Sequence, residues 1–146
     1  MARSGSSTVF YINKTTANGK AIEFRRGGSA VGDINLGSSS TTYNTSSDYR
    51  LKENVIPITD SLSRLMKLKP SQFNFIKDKN ITIDGFLAHE VEEIIPEAVT
   101  GEKDAVDNEG NNIYQSIDHS KIVPLLTASI QDLVKKVEEL EKKCLK

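Results

Sequence analysis

Ser47 stands five residues before Lys52 in the stretch Ser47-Asp48-Tyr49-Arg50-Leu51-Lys52, and these two side chains can do chemistry together. A serine hydroxyl is a poor nucleophile until a base takes its proton, and a lysine amine becomes that base when a dry pocket favours its neutral form. The nearest carbonyl belongs to Ser46, so the Ser46–Ser47 peptide bond is the candidate target and self-cleavage the candidate reaction. Lys52 would have to titrate well below the ~10.4 of an ordinary lysine, which needs burial by folding or by a neighbouring chain. The same residues have a plainer reading: Ser-Asp beside a Ser/Thr-rich run makes a good cap or turn, and most lysines are simply solvated. Ser46 is a rival nucleophile by composition, one residue further from Lys52.

Other reactive constellations are sparse. The chain has one cysteine, Cys144, and two histidines, His89 and His119, which excludes an intrachain disulfide and a Cys/His zinc cluster. No metal site and no cofactor are expected. His89, Glu90, Asp118 and His119 would be the site of an enzyme acting on an external substrate, but they have no recognised catalytic spacing, and surface and capping roles describe them better.

Over 146 residues, 19 Lys and Arg face 20 Asp and Glu, for a net charge of −1. That balance gives no electrostatic reason to expect nucleic acid or an anionic membrane as partner. No apolar run is long enough to cross a bilayer, and the start of the chain lacks the order of a signal peptide, so synthesis in the cytosol is expected. Met1–Ser6 reads as an added leader or the broken end of a longer chain.

The elements that must position the Ser-Lys pair fall into three parts, 1–46, 47–121 and 122–146. Val9-Phe10-Tyr11-Ile12 and Ala21-Ile22-Glu23-Phe24 read as strands joined by Ala17-Asn18-Gly19-Lys20, where Asn-Gly signals a hairpin. A third strand, Ala30–Leu36, follows Gly27-Gly28. These strands carry too few large apolar residues to close a core alone and need partners, copies of themselves being the natural ones. Gly37–Ser47 reads as an exposed, extended linker.

Beyond Lys52 the pattern is α+β. Thr59-Asp60 caps a short helix with Leu62, Leu65, Met66 and Leu68 on one side, ended by Pro70. Gln72–Ile76 and Ile81–Leu87 are predicted strands joined by Lys77–Asn80. Ala88–Ile95 is a helix stopped by Pro96, Asp107–Asn112 a turn, and Ile113–Ile117 a last strand. Val123, Leu126, Ile130, Leu133, Val137, Leu140 and Cys144 then alternate spacings of three and four, the a/d stripe of a coiled coil. Lys136 and Glu141 fall at g and the following e, where charges pair between chains. β-branched residues at a favour two strands and Val134 at e favours three, so the strand number stays open; an amphipathic helix packed on its own domain is the other possibility.

Taken in order, Ser47–Val55, Leu68-Lys69-Pro70 with Phe73, Gly85–Val91, Pro96–Val99 and the closing heptads resemble one family. It is the C-terminal self-cleaving intramolecular chaperone domain of bacteriophage endosialidases, tail fibres and neck appendages, found also in a membrane-tethered animal transcription factor. The similarity spans essentially Ser47 to Lys146, and Ser7–Ser46 resembles the end of the triple-stranded β stem that such domains help fold. The resemblance implies a homotrimer whose partners are its own copies and its upstream stem, formed in the host cytoplasm during virion assembly. It implies Ser47 as nucleophile and new N-terminus, Lys52 as general base, and Asp48, Arg50, His89 and Glu90 as supporting motif positions. His89 departs from the family, which commonly carries glutamine there. A non-catalytic trimerisation or receptor-binding tip module of a fibre is the alternative.

Overall fold

A computed structural model describes residues 10–145. The expectations for Met1–Ser6 and for Val9 lie outside the described residues. The fold is mixed α and β, with three small antiparallel sheets and a long C-terminal helix, and it divides into two compact units between Val55 and Ile56.

The first unit is a meander of β1 (Gly19–Arg26), β2 (Ser29–Leu36) and β3 (Thr41–Thr45), with β2 in the middle. The hairpin turn is Gly27-Gly28 rather than Asn18-Gly19. Both glycines have positive φ, 56° and 83°, as a tight two-residue turn between paired Arg26 and Ser29 requires. Phe10–Ile12 forms no strand. The segment expected to be a linker supplies β3: it is exposed, but Thr41-Thr42-Tyr43-Asn44-Thr45 is rich in β-branched and aromatic residues that fit a pleated surface.

Side-chain alternation gives this sheet two chemically different faces. Cross-strand partners Ile22–Ile34–Tyr43 and Phe24–Gly32 put Ile22, Phe24, Ile34 and Tyr43 on one face. The other carries Glu23, Asp33 and Asn44, where the Asp33 carboxylate accepts from the amides of Asn35 and Asn44, each at 2.7 Å. Among the described residues, every buried apolar side chain lies in the second unit, so the apolar face of this sheet has no core of its own.

The second unit is built around Leu68, Val91, Ile95, Ala98, Ile122 and Leu125. α1 (Ser61–Leu65) is shorter than its apolar spacing predicts, and Asp60 sits at its N-cap in the left-handed region without a side-chain capping bond. The β4 (Ser71–Phe75) and β5 (Asp78–Gly85) hairpin turns at Ile76-Lys77, two residues earlier than the polar run Lys77–Asn80 suggests, with Phe75 facing Asp78. α2 (Ala88–Glu92) ends before Pro96, which opens a 3-10 turn (Pro96–Ala98). Two-residue strands β6 (Val99–Thr100) and β7 (Ser116–Ile117) pair, so only the end of the expected last strand is one.

α3 (Val123–Cys144) spans 22 residues and uses two adjacent stripes. Leu125 and Ser129 are buried, and with Asp132 they form the stripe that meets α1. There the fully buried Ser61 hydroxyl donates to Asp132 Oδ2 at 2.5 Å. The predicted a/d stripe lies about 100° further round at 100° per residue, and Val123, Leu126, Ile130, Leu133, Val137 and Leu140 are 40% to 60% exposed. Packing on its own domain is therefore real but leaves the heptad stripe uncovered.

The Ser61–Asp132 bond yields a stability test. Asp132→Ala strands a buried hydroxyl and is expected to lower stability by about 1–3 kcal/mol in urea unfolding, whereas Lys135→Ala, an exposed partner of the same carboxylate, is expected to change it by less than about 0.5 kcal/mol. The Ser61 hydroxyl, and after it Lys135, hold the Asp132 carboxyl below its ordinary range. The contribution is thus present above the ordinary carboxylate value and lost as pH falls through the depressed one.

Candidate functional site

β3 delivers the candidate scissile bond. Its ladder with β2 continues one residue past Thr45: the Ser46 N–H donates to the Val31 carbonyl at 3.1 Å, and the Ser46 hydroxyl donates to the Ala30 carbonyl at 3.4 Å. Ser46 is thereby held in extended backbone at the end of the sheet, and Ser47 is the first residue to leave it. Ala30 and Val31 were not singled out by residue chemistry, since they act through backbone carbonyls that any residue would offer. The readable signal was the β propensity of Thr41–Thr45.

A 3-10 turn (Tyr49–Leu51) then reverses the chain. Asp48 is its N-cap: Oδ1 accepts from the Arg50 N–H at 2.9 Å, and the Asp48 carbonyl accepts from the Leu51 N–H at 3.1 Å. Lys52 is its C-cap, with its N–H on the Tyr49 carbonyl at 3.1 Å. Extended, five residues span about 17 Å; with the turn closed, Lys52 Nζ donates to Ser47 Oγ at 2.7 Å. The two candidate catalytic groups are together, and both are exposed.

Arg50 binds both oxygens of the same carboxylate, Nε to Oδ1 at 2.9 Å and Nη2 to Oδ2 at 2.8 Å. That guanidinium, then the Arg50 backbone N–H, hold the Asp48 carboxyl below its ordinary range, and the charge of Lys52 adds to the effect. The capped turn is therefore intact above the ordinary carboxylate range and weakens only as pH falls through the depressed value.

The remaining predicted residues belong to the second unit. Glu90 accepts from Lys69 Nζ at 2.9 Å. His89 lines a cleft of about 340 Å³ with Glu102, Asp104 and Gln115. Asp118 caps a further 3-10 turn (His119–Lys121), accepting from the Ser120 N–H at 3.0 Å, and the His119 ring tilts against Phe86 with centroids 6.5 Å apart. Glu90, Asp118 and His119 thus have pairing, capping and packing roles. Among the described residues, no three His, Cys, Asp or Glu side chains are grouped to hold a metal.

Residues 47–100 match the family described as "Chaperone of endosialidase", which carries a peptidase label. That segment is similar to this chaperone family. The match begins at the nucleophile candidate and contains Asp48, Arg50, Lys52, His89 and Glu90; residues 101–146, α3 included, lie beyond it. A comparison with curated proteins finds no match.

Gly32 tests how β3 holds the scissile segment. A Cβ there would lie 2.7 Å from the Asn44 carbonyl oxygen, and such overpacking costs about 1–3 kcal/mol. Gly32→Ala is expected to loosen the β2–β3 ladder, read as faster deuterium exchange of the Ser46 amide, with exchange in the second unit unchanged.

Proposed function

We propose that this chain is an intramolecular chaperone that assembles as a homotrimer, helps its upstream β stem fold, and then cuts itself free at Ser46–Ser47. The observation that carries the proposal is the 2.7 Å contact between Lys52 Nζ and Ser47 Oγ, made at the first residues of the matched family segment.

The reaction follows from where the groups stand. Neutral Lys52 takes the Ser47 hydroxyl proton, and Oγ attacks the Ser46 carbonyl carbon through a five-membered ring. The peptide C–N bond breaks, the Ser47 nitrogen leaves as an amine with a proton returned from Lys52, and an ester joins Ser46 to Ser47 Oγ. Water then hydrolyses the ester, giving a chain ending in the Ser46 carboxylate and a second chain beginning at Ser47. Nucleophile and carbonyl are adjacent along the chain, so the step is unimolecular and gains the full advantage of proximity.

Lysine in water carries its proton at neutral pH, and both groups are exposed here. Drying by neighbouring copies supplies the missing condition, so assembly arms the cut. Two apolar surfaces support assembly: the exposed heptad stripe of α3, and the face of the first sheet on which Phe24 and Tyr43 are exposed beside half-buried Ile22 and Ile34. A three-chain sheet is rich in non-local contacts and slow to nucleate. Holding three chains in register raises their effective concentration to about mM levels. After cleavage the stem has lost its folding aid and is kinetically trapped. The setting that fits is the maturation of a phage tail fibre, tailspike or neck appendage in the host cytoplasm.

The exposure of the dyad favours a second reading, a fibre-tip trimerisation or receptor-binding module in which the pair is dormant. Cleavage decides between them. On denaturing gels the full chain is expected to give two fragments split before Ser47, and Ser47→Ala or Lys52→Ala a single full-length band; a parent chain that stays whole as a trimer supports the dormant module. Ile130→Asp, in the middle of the exposed stripe, is expected to reduce the sedimenting species to a monomer and to slow cleavage by at least about 100-fold, since burial of the ammonium shifts its titration by several units.

A further inference from the structure

Ser47 and Lys52 meet because of what lies between them, and that turn is held by one carboxylate used in two ways. Asp48 Oδ1 caps the turn through the Arg50 N–H, and both carboxylate oxygens are engaged by the Arg50 guanidinium. Lys52 makes no ion pair with Asp48, although its charge is felt there; its hydrogen bond goes to Ser47 instead. The charged groups at this end of the first unit are Asp48 and Arg50 on the turn, Glu53 next along the chain, and Arg25 and Arg26 of β1. Arg25 is itself engaged by Glu23 and by the Gly28 carbonyl.

We propose that Asp48 and Arg50 are a coupled pair of positioning residues: Asp48 folds the turn that returns Lys52 to Ser47, and Arg50 occupies the Asp48 carboxylate so that it cannot capture the lysine. A bare carboxylate at Asp48, next to Ser47 and across the turn from Lys52, would be a strong competitor for an ammonium group. It would draw Lys52 away from the hydroxyl and favour the charged form that cannot act as a base. A bidentate guanidinium removes the competitor and leaves the cap in place. This deepens the self-cleavage reading and rests on it.

Two experiments on the full chain test it. In the first, cleavage rates are followed by intact mass across pH. Asp48→Ala is expected to slow cleavage by about 100-fold, the scale of a misplaced catalytic group. Asp48→Asn, which keeps the cap because Asn serves at an N-cap as well as Asp, should recover most of that loss, to within about tenfold of the parent. Arg50→Gln is expected to slow cleavage and move the pH–rate profile up by about one unit. Adding Asp48→Asn to Arg50→Gln should reverse that displacement, a rescue that lost folding alone would not produce.

The second readout does not need cleavage. With Ser47→Cys and Cys144→Ser, alkylation of the single thiol by iodoacetamide reports the neighbouring ammonium, which lowers a thiol below the ~8.5 of free cysteine. Asp48→Ala is expected to return the alkylation midpoint to the free value, and Asp48→Asn to leave it depressed. A parent chain that never cleaves defeats the self-cleavage reading alone, because the thiol midpoints still decide the positioning role. Unchanged midpoints in Asp48→Ala, or Arg50→Gln cleaving with the parent's rate and pH profile, would overturn the positioning role while cleavage stands.

Discussion

The return of Lys52 to Ser47 is the constraint on which the rest of this structure turns. The four residues that separate Ser47 from Lys52 are folded back by one 3-10 turn (Tyr49–Leu51), pinned at its start by Asp48 and at its end by the Lys52 amide. Immediately before it, the last ladder bond of the sheet fixes Ser46. The peptide bond between a held residue and a reversing one is thus offered with a nucleophile on one side and a candidate base within hydrogen-bond reach.

In the proposed function, chemistry and assembly are complementary. The single chain supplies geometry but leaves the dyad in water. It also leaves apolar surface in water, on one face of the β1–β2–β3 sheet and along α3. The second unit has a core of its own, and α3 contributes Leu125 and Ser129 to it. The heptad stripe sits beside that docking face and stays exposed. A helix able to satisfy its own domain and still present a second stripe is suited to a chaperone that must fold first and then gather copies. In the proposed function, cleavage after gathering would make the order irreversible.

Much of this was legible in the sequence where side-chain type decides the outcome. The Ser47–Lys52 spacing, the α3 heptads, Pro96 as a stop and the α+β character beyond Lys52 each depend on residues with strong local preferences. Failures came where partners decide. Asn18-Gly19 is a good turn sequence, but Gly27-Gly28 is a better one, with two residues free to take positive φ, and it captured the hairpin. Thr41–Thr45 looked like linker because it is polar, yet β2 offered it an edge. The support of Ser46 by the carbonyls of Ala30 and Val31 was invisible, since backbone groups carry no residue signature. The double use of Asp48 was half visible: an acidic cap could be read, its occupation by Arg50 could not.

The most direct measurement is an intact-mass time course on the full chain after separation by size, with the oligomeric and monomeric fractions incubated apart at neutral pH. The oligomer should yield a polypeptide beginning at Ser47, in a first-order process independent of total concentration, while the monomer stays full length. An oligomer that keeps only the full-length mass, or a monomer that cleaves equally fast, would contradict the account.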